Sequence, residues 1–154
     1  MNKYMSLAND LAKQNIKTND GGPFGAVIVK DDKIVGIGNN QVIKNNDPTA
    51  HAEVIAIRDA CNNLKTYDLK DCEIYTSCYP CPMCLSAIMW ANIKVVYYGN
   101  TRKDANGIGF RDDVMYEFLD NMEDETVLKL IQIDRENTIK TFIEFNSKEE
   151  KEMY

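Results

Sequence analysis

The apolar positions of this chain change period several times, and each change marks an element. Tyr4, Leu7, Ala8, Leu11 and Ala12 recur at three- and four-residue intervals, the spacing of an amphipathic helix. Gly21-Gly22-Pro23 closes that segment and turns the chain. Ala26-Val27-Ile28-Val29 reads as a strand, Asp31-Asp32 as a tight turn and Lys33 to Gly38 as the returning strand of a hairpin. Helical spacing resumes from about Pro48 to Leu64, with Val54, Ile55, Ile57 and Cys61 assigned to the inner side. Glu73 to Ser77 reads as a short strand, and Cys81 to Ala91 as an apolar helix with Trp90 assigned to the core. Lys94 to Tyr98 is a further strand, ended by Gly99. A helix over Asp113 to Asn121, a strand over Val127 to Ile133 and a C-terminal helix from about Asn137 complete the series. The alternation of strands and helices calls for crossover connections, which lay helices on the faces of a sheet. The expected fold is therefore α/β, a layered structure on a mixed five-stranded sheet within a single domain, residues 1–154.

Composition narrows the partners. A chain of 154 residues suits one domain with a real core and leaves little for a second. No stretch approaches the roughly 18 apolar residues of a membrane span. Lys3, Asp10 and Lys13 interrupt the N-terminal segment, so it does not read as a secretory signal, and a cytoplasmic location is expected. The net charge of −6 disfavours nucleic acid, whose affinity comes from clustered Lys and Arg, whereas here these residues are scattered. A small molecule is the expected partner, with no nucleic acid and no membrane.

The five cysteines are an odd number, which argues against a disulfide framework. Cys61 and Cys72 stand apart and read as small buried apolar residues. Cys78, Cys81 and Cys84 are clustered, and Cys81 and Cys84 share one helix face at a separation of three. Pro80 and Pro82 confine that pair to a first helical turn, where the helix dipole favours the thiolate that binds zinc. His51-Ala52-Glu53 lies thirty residues upstream. Its first and third side chains converge only at a helix start, which Asp47-Pro48-Thr49 is expected to supply, with Asp47 or Thr49 as cap.

Each piece has an ordinary reading. A lone C-x-x-C is compatible with a redox pair, Cys78 could close a structural zinc site, and a lone histidine is usually a core or surface residue. Taken together, H-x-E and P-C-x-x-C match the signature of zinc deaminases. His51, Cys81 and Cys84 are then the Zn2+ ligands, with an open fourth position. Glu53, beside the metal, is the catalytic proton carrier. Backbone N–H groups at the start of the Cys81 helix are placed to support developing charge.

The segments GGPFGAVIVKDDKIVGIGNN, NDPTAHAEVIAIRDAC, YTSCYPCPMCLSAIMWA and GIGFRDDVMYEFL resemble the bacterial guanine deaminases of the cytidine deaminase superfamily. The resemblance runs from Gly21 to Tyr154. One departure is Tyr79, where most relatives carry glutamate before the proline. The resemblance implies an α/β/α cytidine deaminase-like fold, hydrolysis of a free purine base such as guanine to xanthine and ammonia, and substrate contacts at Phe24, Asn40, Ala52, Asp112 and Tyr154. Phe24 and His51 would sandwich the base, Asn40 would bond its polar edge, Asp112 would read purine N–H groups and Tyr154 would close the pocket. It also implies a homodimer that exchanges the C-terminal segment, helix 137–154, between subunits. Without the resemblance, Asp112 reads as a helix cap, Phe24 as core, Asn40 as a turn residue and Tyr154 as a terminus. A cytosine or nucleoside deaminase, a tRNA adenosine deaminase and a non-catalytic zinc module are the competing readings.

Overall fold

The structure, a computed structural model, describes residues 2–154. Helix α1 (Lys3–Thr18) opens on Asn2, whose Oδ1 accepts from the N–H groups of Tyr4 at 2.9 Å and Met5 at 3.1 Å. It closes at Asn19, in the left-handed conformation common just past a helix end. Strands β1 (Gly25–Lys30) and β2 (Lys33–Asn39) are joined by Asp31 and Asp32, with φ of 48° and 60°. Positive φ at both positions is what a two-residue turn needs to match strand twist. There follow α2 (Val42–Asn45), α3 (Ala52–Leu64), β3 (Glu73–Cys78), α4 (Pro82–Trp90), β4 (Val95–Asn100), α5 (Arg102–Gly107), α6 (Asp112–Asn121) and α7 (Arg135–Ser147).

The sheet order is β2-β1-β3-β4. β1 runs antiparallel to both β2 and β3, whereas β3 and β4 are parallel and joined through α4, so the sheet is mixed. Alternation along the strands serves two faces. Val27, Val29 and Tyr75 pack against Tyr4, Ala8 and Leu11 of α1. Ala26, Ile28 and Ile74 face the other way, against Ala52, Ala56 and Ala60 of α3 and Ile88 of α4. Helix layers on both faces make the expected α/β/α arrangement.

A seam of small residues sets how close α3 lies to the sheet. Gly36 and Gly38 pair across the ladder with Ile28 and Ala26, and a Cβ on Gly36 would come 2.5 Å from the Ala56 carbonyl oxygen. A Cβ on Gly38 would strike the Ala52 carbonyl oxygen and stand 2.7 Å from the Ala56 nitrogen. Both obstacles are backbone and cannot step aside. Gly38→Ala is therefore expected to cost about 1–3 kcal/mol through overpacking. Denaturant unfolding would measure it, and an unchanged midpoint would contradict the close approach.

Several sequence expectations are corrected. Among the described residues the sheet has four strands: residues 127–133 form no strand, because no neighbouring strand pairs with their backbone. α3 begins at Ala52 rather than near Pro48, since Asp47 Oδ1 accepts from the Thr49 N–H at 2.8 Å and hydroxyl at 2.6 Å and holds a turn there. The fully buried stripe of α3 is Ala52, Glu53, Ala56 and Ala60; Val54, Ile55, Ile57 and Cys61 are only partly buried. Trp90 is 66% exposed at the end of α4, not core. The C-terminal helix spans Arg135–Ser147, and α2 and α5 are short helices that no periodicity announced.

The chain packs as two compact units, one reaching to Tyr116 and the other Glu117–Tyr154. The second holds the end of α6, an irregular stretch and α7, and its apolar side chains Leu130, Ile131, Ile133 and Phe142 are exposed. Among the described residues, no helix is long and apolar enough to cross a membrane.

Candidate metal centre and active site

Two helix starts meet at one point of the first unit. His51 is the cap residue of α3 and Cys81 that of α4, both with extended backbone. A cap side chain ordinarily bonds its own helix. Neither does so here. They turn toward each other instead, with His51 Nδ1 at 3.5 Å from Cys81 Sγ and 3.5 Å from Cys84 Sγ. Pro82 at the first helical position sets the turn that brings Cys84 to the same face.

This trio fits a zinc ion. Tetrahedral zinc with Zn–S of about 2.3 Å and Zn–N of about 2.0 Å separates neighbouring nitrogen and sulfur ligands by about 3.6 Å. The three ligand atoms lie within 4.8 Å of one another, and no further His, Cys, Asp or Glu joins the group among the described residues. Electrostatics prepare the same chemistry. Cys81 is drawn down to about 4, first by the proton that Cys84 donates to it and then by His51. Cys84, which supplies that proton and is fully buried, is pushed upward. His51 is raised above its ordinary value by its bond to Cys81. Cys78 does not close the site: it is pushed up to about 11 by burial, and its thiol donates to the Thr101 carbonyl at 3.6 Å.

Glu53 lies in the first turn of α3, 5% exposed, and its Oε1 accepts from the Thr76 hydroxyl at 2.8 Å. Burial pushes its carboxyl above the usual carboxylate range, and the Thr76 bond offsets part of that. Ile74, Thr76 and Cys78 share one face of β3, so a single strand runs from the core through the partner of Glu53 to the cavity wall.

A cavity of about 480 Å³ opens beside these groups. Phe24, Asn40, His51, Glu53, Cys81 and Asp112 all line it. Asn40 is 3% exposed, and its Oδ1 accepts from the Val42 N–H at 3.1 Å, which leaves the Nδ2 group to donate. Burial raises the Asp112 carboxyl. Ala52 turns its side chain into the core and is not among the residues that line the cavity. Tyr154, in the second unit, is 84% exposed, and the cavity is lined without it.

Three contributors escaped the sequence reading. Phe110 lines the cavity edge-on to Phe24, with ring centroids 4.7 Å apart. Tyr79 also lines it, packed at right angles to Tyr98, with its N–H donating to the Asn100 carbonyl at 2.8 Å. Asn15, 2% exposed, donates through Nδ2 to the carbonyls of Gly22 and Asn40 at 2.7 Å each and accepts from Asn39, pinning the loops of the wall. Asn15 had a signal: it continues the inward stripe of α1, where a polar residue needs a polar reason.

Residues 1–100 match the family described as the cytidine and deoxycytidylate deaminase zinc-binding region. The guanine deaminase of Bacillus subtilis (strain 168) is 48% identical over 130 residues, covering 84% of this chain and 83% of that one. The X-ray structure of guanine deaminase from Bacillus subtilis superposes with a TM-score of 0.93 at 44% identity, over 100% of this chain and 99% of that one. A tRNA-specific adenosine deaminase of Buchnera aphidicola is 46% identical, over 53% of this chain and 54% of its own.

Proposed function

From the chain's membership of the cytidine and deoxycytidylate deaminase family, we propose that it hydrolyses guanine to xanthine and ammonia in the cavity beside Glu53. The observation that carries this reading is the meeting of the His51, Cys81, Cys84 trio, Glu53 and Asp112 around one base-sized cavity. The extended likeness to a guanine deaminase over most of the chain supports the choice of base.

His51 Nδ1 and the sulfurs of Cys81 and Cys84 would hold zinc, which supplies Lewis acidity and an activated water near neutral pH. Phe24 stacks on the planar base opposite His51, and Asn40 Nδ2 donates to its carbonyl edge. The Asp112 carboxylate accepts from purine N–H groups. Thr76 holds Glu53 Oε1, so Oε2 carries the proton. Glu53 takes that proton from the attacking water and delivers it to the ring nitrogen beside the amino-bearing carbon. The water oxygen has by then bonded to that carbon; Glu53 moves the proton of this new hydroxyl to the amine, the carbon–nitrogen bond breaks, a carbonyl remains and ammonia leaves.

The protein further acts as a homodimer that exchanges the C-terminal segment, residues 137–154, with Tyr154 of each chain closing a cavity of the other. Two unsatisfied features support this. β4 is paired on one side only, and residues 127–133 carry an exposed apolar run without a strand partner. The five free cysteines fit a cytoplasmic, reducing setting.

Zinc-loaded protein incubated with guanine, guanosine, cytosine, cytidine, adenine and a tRNA anticodon stem, followed by ammonia release and ultraviolet absorbance, tests the substrate. Guanine alone is expected to react. Inactivity on guanine with clear turnover of another member would overturn the choice of base and leave the metal site intact.

A further inference from the structure

The carbonyl of Pro80 immediately precedes the ligand Cys81, and Pro80 is fully buried. A buried carbonyl needs a donor, and leaving one unmet is costly. The donor comes from 36 residues away: the Tyr116 hydroxyl, at 2.6 Å. Tyr116 is itself held. The Arg102 guanidinium lies 3.8 Å over its ring and, through Nε and Nη2, grips Asp113 Oδ1 at 3.1 and 2.9 Å. Asp113 and Tyr116 are three apart on α6 and so meet the same guanidinium. Asp112 and Tyr116 are four apart and share the face that looks onto the cavity and the metal loop. Arg102 is in turn fixed by the start of α5, where Thr101 and Asp104 cap each other.

We propose that Tyr116, braced by Arg102, is a positioning residue for the metal: its hydroxyl holds the Pro80 carbonyl and so aims Cys81 at the ion. The inference rests on the reading of His51, Cys81 and Cys84 as the zinc ligands. A bond placed for stability alone could sit anywhere along the helix. This one ends on the residue next to a ligand, in the helical turn that also carries Asp112 into the cavity.

Tyr116→Phe keeps the ring over Arg102 and removes one oxygen. Zinc affinity, read by competition with a chromophoric chelator, is expected to fall about 10–100-fold, the range for groups that orient a metal ligand. The thermal midpoint of the zinc-free protein is expected to move by less than about 4 °C. Zinc affinity within twofold of the parent protein would overturn the proposal. Should Tyr116→Phe fail to fold, Arg102→Met, which keeps the hydroxyl but frees the ring, is judged by the same criterion. A parent protein that binds no zinc would overturn the ligand assignment itself. A zinc-binding parent with an equally zinc-binding Tyr116→Phe would overturn only the role of Tyr116.

Discussion

Glu53→Gln is expected to lower kcat for guanine by about 10²–10⁴-fold, the share that a positioned proton carrier supplies. The amide keeps the shape of the carboxylate and an oxygen for the Thr76 hydroxyl, but it cannot accept a proton from water at neutral pH. Zinc content should not change, because the proposed ligands are His51, Cys81 and Cys84. Stability gives a second, independent readout. Burial raises the Glu53 carboxyl above its unfolded value, so in the zinc-free protein its ionised form costs stability at neutral pH. That cost is relieved as pH falls through the folded pKa, and it is absent from the amide. Zinc-free Glu53→Gln should thus unfold at an equal or higher temperature than its parent, while turning over far more slowly. Loss of zinc, or near-normal turnover, would remove Glu53 from the chemistry.

Cys84→Ser should abolish turnover by a different route. Cys84 is fully buried, and its sulfur stands 3.5 Å from His51 Nδ1. A hydroxyl oxygen is shorter-reaching and is not deprotonated at neutral pH, so it makes a poor ligand. Zinc affinity is expected to drop at least about 100-fold, exceeding the loss of an orienting partner alone. At zinc a thousandfold above its dissociation constant the bound ion adds about 4 kcal/mol to the parent, and Cys84→Ser should forfeit most of that. Protonation sharpens the test. Zinc needs bare ligand atoms, yet the bond to Cys81 and burial push the Cys84 thiol upward in the zinc-free site, so it keeps its proton. Binding must expel that proton, so affinity falls as pH is lowered. Calorimetry in buffers of different ionisation heat should count one proton fewer for Cys84→Ser than for the parent. Equal proton counts with intact zinc binding would exclude Cys84 as a ligand.

Much of the site was legible because its chemistry is local. His51 and Glu53 sit two apart, Cys81 and Cys84 three apart, and the prolines around the second pair locate its helix start. The hairpin was legible for the same reason, since Asp31-Asp32 and the alternation on either side are short-range signals. What was misread depends on distant partners. Pro48 marks a turn or a helix start equally well, and only the Asp47–Thr49 bonds decide between them. Val127 to Ile133 has the composition of a strand, but a strand is made by the neighbour that bonds to it. The inner stripe of α3 is alanine rather than the larger Val54, Ile55 and Ile57, because Gly36 and Gly38 draw the helix too close for anything wider. Asn15, Phe110 and Tyr116 act across long stretches of chain, through bonds and ring contacts that no periodicity encodes.

That glycine–alanine seam has a consequence for how such an enzyme can diversify. His51 and Glu53 ride on a helix pressed against the sheet, where nearly any enlargement is penalised, so the reactive centre is almost immutable. Phe24, Asn40, Phe110 and Asp112 stand instead on connecting segments or at a helix's first turn, outside the seam. On the proposed function, exchanging those segments should therefore alter which ring is accepted, without touching the machinery that splits the carbon–nitrogen bond.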